Sequence, residues 1–138
     1  MHVNPERSTA ADIQELVSFL PRLYAEGVSP VERWEGGVKG EDGSVTLPWP
    51  LYNKVVEEFF RVAARQCWMD RDYQPVEAGQ MLADEEVVRK ADMTQIRQML
   101  TYCVRGERFC DGHRGAMITG GHIRRLLQRI AELASDDV

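Results

Sequence analysis

From Leu51 to Cys67 the apolar side chains return every three or four positions, at Leu51, Tyr52, Val55, Val56, Phe59, Phe60, Ala63 and Cys67. Asn53, Lys54, Glu57, Glu58, Arg61 and Arg65 fall on the other side. This is the period of an α-helix with one buried stripe and one wet face, and a strand cannot satisfy it. Such a helix gains its stability by packing, so the rest of the chain must offer further apolar faces. Ile13, Leu16, Val17, Leu20, Leu23 and Tyr24 supply one, behind Ser8 or Thr9 as a cap and with Gly27 as a stop. Pro21 interrupts it, so one kinked helix or two short ones broken near Leu20 are expected. Beyond a connector from Trp68 to Pro75, a shorter helical stretch passes through Met81, Leu82, Val87 and Val88. Asp92 or Thr94 opens a helix with Ile96, Met99, Leu100, Cys103 and Val104 on one face. A loop, Phe109–Gly115, then Thr119-Gly120-Gly121, lead to a last helix bearing Ile123, Leu126, Leu127, Ile130 and Leu133. Asp136, Asp137 and Val138 form an acidic tail expected to fray.

Residues 28–50 lose this period. Trp34-Glu35-Gly36-Gly37 and Gly40-Glu41-Asp42-Gly43 are rich in turn formers, while Val45-Thr46-Leu47 favours extended backbone. A hairpin with arms Val31–Lys39 and Ser44–Leu47 about an Asp42-Gly43 turn fits them. Two strands alone are marginal in water, so the hairpin must lean on helices. The expected architecture is mainly α: one compact domain over residues 1–138, of five or six helices with a small β-hairpin.

Hydrophobic residues at 43% and charged residues at 28% are ordinary for a globular chain and argue against disordered, collagenous or coiled-coil alternatives. The net charge of −5 argues against nucleic acid or acidic lipid as the default partner. No apolar run is long enough for a bilayer, and Met1–Arg7 lacks a secretory signature, so no membrane partner is expected. Cys67, Cys103 and Cys110 are odd in number and contain no CxxC pair, which suits reduced thiols and a cytoplasmic setting.

The chemistry concentrates in Arg105-Gly106-Glu107-Arg108-Phe109-Cys110-Asp111-Gly112-His113, between two apolar helices. From 101 to 131 six arginines stand against Glu107 and Asp111, a net +4 within an acidic chain. The favoured reading is a binding or regulatory module whose pocket, built from Trp34, Arg105, Glu107, Arg108, Asp111 and His113, takes a small anionic molecule. Arg108 or Arg114 would offer a planar fork of donors, and Gly120-Gly121 would let helix N–H groups approach the same group. A second reading is a small hydrolase or transferase in which His113 is an acid–base group oriented by Asp111 or Glu107. A third is architectural, with Arg108 paired to Asp111 and Glu107 capping locally. Zinc on Cys103, Cys110 and His113, with Cys67 or His122 as a fourth ligand, lacks the second close ligand pair; neither a metal nor a cofactor is expected. Trp34, Trp49, Trp68, Tyr52 and Tyr73 read as core wedges before a stacking pocket. Arg124, Arg125 and Arg129 are a modest footprint for nucleic acid, and exposed aromatics leave a homo-oligomer open.

The run Leu100-Thr101-Tyr102-Cys103-Val104-Arg105-Gly106-Glu107-Arg108-Phe109-Cys110-Asp111-Gly112-His113, followed by Gly121-His122-Ile123 and Leu126-Leu127-Gln128-Arg129, resembles an uncharacterised prokaryotic family of domains of unknown function, DUF6508. Val17-Ser18-Phe19-Leu20-Pro21 and Trp34-Glu35-Gly36-Gly37 resemble it in the same order. Arg114 departs from it, where the resemblance implies a bulky apolar residue. The resemblance implies a compact bacterial or archaeal intracellular domain, and it carries no catalytic residues with it.

Overall fold

The structure, a computed structural model, describes residues 8–45 and 47–136. The segment 1–7, Thr46 of the extended stretch, and Asp137 and Val138 of the acidic tail lie outside the described residues. The architecture is mainly α with a two-stranded antiparallel hairpin. Eight helical segments are present among the described residues, more than five or six because two stretches are each broken in two.

The first break separates α1 (Ala10–Val17) from α2 (Phe19–Leu23) at Ser18, three residues ahead of Pro21. Pro21 lacks the N–H that would bond the carbonyl four residues back, so the ladder fails before the proline rather than at it. Thr9 caps α1 in a reciprocal box with Asp12. The second break, at Asp84, divides α4 (Pro75–Ala83) from α5 (Glu85–Arg89), and the Asp84 side chain accepts from the Glu86 N–H.

The hairpin differs from expectation in its second arm. Strand β1 (Val31–Glu35) pairs with β2 (Trp49–Tyr52), in the register Val31 to Tyr52 and Trp34 to Pro50. The predicted turn survives at the tip, where the Gly40 and Ser44 backbones bond and Lys39 bridges Val45. Leu51 and Tyr52 therefore belong to a strand. Helix α3 (Lys54–Ala63) begins later, behind Asn53, whose side chain accepts from the Val56 N–H. An asparagine cap outcompetes the helical periodicity of Leu51 and Tyr52, because it satisfies a first-turn donor that they cannot.

Helix α6 (Met93–Arg105) starts in an Asp92–Gln95 capping box. The stretch read as a loop to Gly115 instead turns helical at once, as α7 (His113–Thr119). Helix α8 (His122–Asp136) closes the fold, packing on α1, α5, α6 and α7. Leu16, Phe59, Ile96, Met99, Leu100, Ile123, Leu126, Leu127 and Ile130 meet with no exposure to solvent. Trp68, from a 3₁₀ turn (Gln66–Trp68) in the connector, joins them fully buried. Phe19, Phe59 and Phe60 interlock edge to face, with centroids 5.5 and 5.1 Å apart. No helix among the described residues is long and apolar enough to cross a membrane.

Two predictions follow from this packing. Leu126→Ala should lower the unfolding free energy by about 2–5 kcal/mol in a urea titration, since the site is walled on all sides and cannot collapse. At the start of α8, Arg125 donates to His122 Nδ1 at 3.0 Å, which requires the neutral imidazole. Burial, then the Arg125 charge, holds the His122 pKa below its ordinary 6.5. The folded state thus favours the neutral ring, and its contribution to stability is present above pH 6.5 and lost as pH falls through the lower folded value. His122→Gln should flatten that acid limb in melting temperatures recorded between neutral and mildly acidic pH.

Candidate functional site

The polar run after α6 folds into a clasp. Gly106–Arg108 make a 3₁₀ turn, a tight turn follows, and Gly112, with a left-handed φ of 93°, starts α7. The Glu107 carboxylate reaches across this turn to the exposed amides of α7. It accepts from the Gly112 N–H at 2.7 Å and from the Arg114 N–H at 2.8 Å. Tyr52 O–H donates to the same carboxylate at 2.7 Å and accepts from the Gly115 N–H at 3.1 Å. One carboxylate and one phenol thereby satisfy three first-turn amides, with the negative charge at the positive end of the helix. Burial, then the bond to Glu107, pushes the Tyr52 hydroxyl well above the ordinary tyrosine range.

The other side of the clasp is equally occupied. His113 Nε2 lies 3.1 Å from the Tyr102 carbonyl, so it carries the proton and donates, and the two rings meet edge to face at 5.0 Å. The imidazole sits so close over Gly106 that any β-carbon there would collide with it. Arg114 donates from Nε and Nη2 to the Val104 carbonyl at 3.1 and 2.9 Å, closing the end of α6. Its guanidinium lies 5.0 Å from the centre of the Phe60 ring, a stacking surface that stands in for apolar packing at position 114.

Of the six residues expected to share a pocket, Trp34, Glu107 and His113 gather at the clasp, with Trp34 resting over Gly112. Arg108 and Asp111 are exposed on the same turn and form no ion pair with each other or with any described residue. Arg105 leaves the group and lies over Tyr73, lining a separate cleft. The Gly120 and Gly121 N–H groups are spent on the Ala116 and Ile118 carbonyls, and the Arg124 N–H on the Tyr24 hydroxyl, so no anion seat opens there. Cys103 is wholly buried and Cys110 exposed, and among the described residues no three metal-binding side chains cluster. Arg125 bridges His122 and Glu85, while Arg129 binds the Ala91 carbonyl and Glu132.

A wide opening lies beside Arg105. A cleft of about 490 Å³ runs between α6 and the connector, lined by Ala64, Gln66, Met69, Asp70, Arg71, Asp72, Thr94, Arg97 and Arg105. Thr94, Arg97, Thr101 and Arg105 follow one another at intervals of three and four, a polar stripe beside the helix's buried face. Thr101, fully buried, bonds back to the Arg97 carbonyl at 2.7 Å and accepts from the Asp70 N–H at 2.9 Å, fixing the connector to the middle of the stripe. Arg71, Arg97 and Arg105 have no ion-pair partner among the described residues. Arg97 Nε is buried and donates to no described residue, and Arg105 rests over Tyr73 at 5.6 Å. Reading the sequence by clusters missed Arg71 and Arg97; the stripe itself was legible on a helical wheel.

Removing the clasp tests its role. Charge-assisted hydrogen bonds contribute about 1.5–3 kcal/mol each, so Glu107→Ala should lower the unfolding free energy by about 3 kcal/mol in urea. Tyr52→Phe, which keeps the carboxylate on its two amides, should cost about 1 kcal/mol.

The comparisons with known proteins give a family and no reaction. No curated protein and no solved structure matches the chain. The sequence model of a family of unknown function, DUF6508, matches residues 8–136, almost the whole length, and the chain belongs to that family.

Proposed function

We propose that this domain is a cytoplasmic binding module for a small anionic molecule, and that the molecule sits in the cleft between α6 and the connector. The observation that carries this reading is Arg97, whose Nε is buried at a cleft of about 490 Å³ with no acceptor. A buried guanidinium donor left without a partner is costly, and an anion in the cleft would supply the acceptor it lacks. Arg71 and Arg105, both free of carboxylate partners, add to the same local field within a chain of −5 net charge. The cleft volume falls in the range of small-molecule sites. Three unpaired thiols support the cytoplasmic setting.

Of the residues first read from sequence, Arg105 binds directly in this proposal. Glu107 and His113 serve as positioning residues, because the clasp fixes the end of α6 from which Arg105 projects. Trp34, Arg108 and Asp111 take no part in the cleft. Inorganic pyrophosphate, titrated into the labelled protein at low salt, should shift the amides of residues 69–72 and 94–98. Arg97→Ala should weaken that binding at least about tenfold, the loss expected for one charge-assisted contact. Arg108→Ala should leave it unchanged. Loss of binding in Arg108→Ala with retention in Arg97→Ala would return the site to the exposed turn and overturn the proposal.

A further inference from the structure

The charges along the cleft alternate, and the alternation constrains the ligand. Arg97 and Arg105 stand eight residues apart on one straight helix, about 12 Å along its axis. Side chains on one helix lean the same way, so two such heads stay about two turns apart instead of converging on one atom. Thr101 stands one turn from each, and it is Thr101 that takes the Asp70 N–H. The connector therefore fixes the Asp70 backbone at the helix position midway between Arg97 and Arg105, and Asp70 lines the same cleft with no ion pair to either. Asp70 is only partly exposed, and its Oδ1 accepts from the Asp72 N–H at 2.9 Å, which holds the carboxylate in place and leaves Oδ2 open. Arg71 and Asp72 flank it with opposite charges on the exposed rim and largely offset each other.

We infer that the ligand is a zwitterionic dianion: a small molecule with two anionic groups, carboxylate or phosphate, and an ammonium group seated against Asp70. This rests on the cleft being an anion site, and it adds the second anion and the cation. A single anion leaves one of the two arginines unanswered, and a plain dianion brings no partner to Asp70 and is repelled by it. The complementary pattern is negative, positive, negative. With guanidinium–anion contacts of about 2.8 Å at each end, about 12 Å between heads leaves room for a backbone of only a few atoms between the anionic groups. That is the size of a dicarboxylic or phosphorylated amino acid.

The test uses four probes on the full chain by calorimetry: L-glutamate, glutarate, 4-aminobutyrate and O-phospho-L-serine. L-Glutamate should bind at least about tenfold more tightly than glutarate, which lacks the ammonium, and than 4-aminobutyrate, which lacks one carboxylate. Asp70→Asn keeps the Oδ1 acceptor of the turn, and it should erase the preference over glutarate without weakening glutarate itself. Arg105→Ala should erase the preference over 4-aminobutyrate. O-Phospho-L-serine binding more tightly than L-glutamate would assign one anionic place to a phosphate and support the inference. If pyrophosphate binds through Arg97 but neither L-glutamate nor O-phospho-L-serine exceeds glutarate, the zwitterionic class is wrong while the anion site stands. If no anion binds, both fall.

Discussion

A single carboxylate ties the hairpin to the joint between α6 and α7. Glu107 leaves a 3₁₀ turn, takes two amides of α7, and receives the hydroxyl of Tyr52 from the second strand. The hairpin has only two strands and exposes Trp34, Trp49 and Leu47, so it cannot hold itself together by burial. Its attachment is a polar one: the Tyr52 hydroxyl donates to Glu107 and accepts from Gly115, while Val31 and Tyr52 press on the bare α-carbon of Gly115. The same device recurs at the other end of α7. Tyr24 donates to the Ile118 carbonyl and accepts from the Arg124 N–H, joining the end of α7 to the start of α8. Short helices have a large share of unpaired backbone groups, and here tyrosines from distant segments answer them.

That arrangement explains why a run of arginine, glutamate, aspartate and histidine between apolar helices looks like a site and behaves as a joint. A joint between helix ends needs acceptors for amides and donors for carbonyls, and those are the groups a ligand site also needs. Glu107 supplies the first, Arg114 and His113 the second. The chain order alone cannot separate the two roles, because the partners are backbone atoms of α6 and α7, which every sequence possesses. The position that betrays the joint is Gly106, bare because the His113 ring occupies the space of its β-carbon.

The helical faces and the hairpin turn were legible because both depend on local rules: a period near 3.6, a cap, a turn dipeptide. The second strand was not, since Leu51 and Tyr52 fit the helical stripe of α3, and the Asn53 cap together with the pairing to Val31 and Arg33 draws them away. Of the tryptophans read as core wedges, Trp68 is fully buried, while Trp34 and Trp49 stay exposed on the hairpin, where no helix covers them. For the cleft, half was within reach. Thr94, Arg97, Thr101 and Arg105 mark a polar edge along an apolar helix, but that Asp70 and Arg71 face it depends on one bond, from the Asp70 N–H to Thr101.

In the cleft, opposite charges lie side by side without pairing. Some surface arginines elsewhere in the chain find carboxylates, Arg22 with Glu58, Arg65 with Glu15 and Arg89 with Glu86, while Arg61 and Arg108 stand exposed without one. Around the cleft, carboxylates are near at hand in Asp70 and Asp72, yet Arg97 and Arg105 pair with neither. Asp70 is held instead by its own turn and by Thr101, on a segment anchored through the buried Trp68. Positive and negative groups that line one space without meeting leave donors and acceptors that the proposed ligand would answer. The clasp at the far end of α6 contributes to that separation, since it fixes where the helix stops and therefore where Arg105 begins.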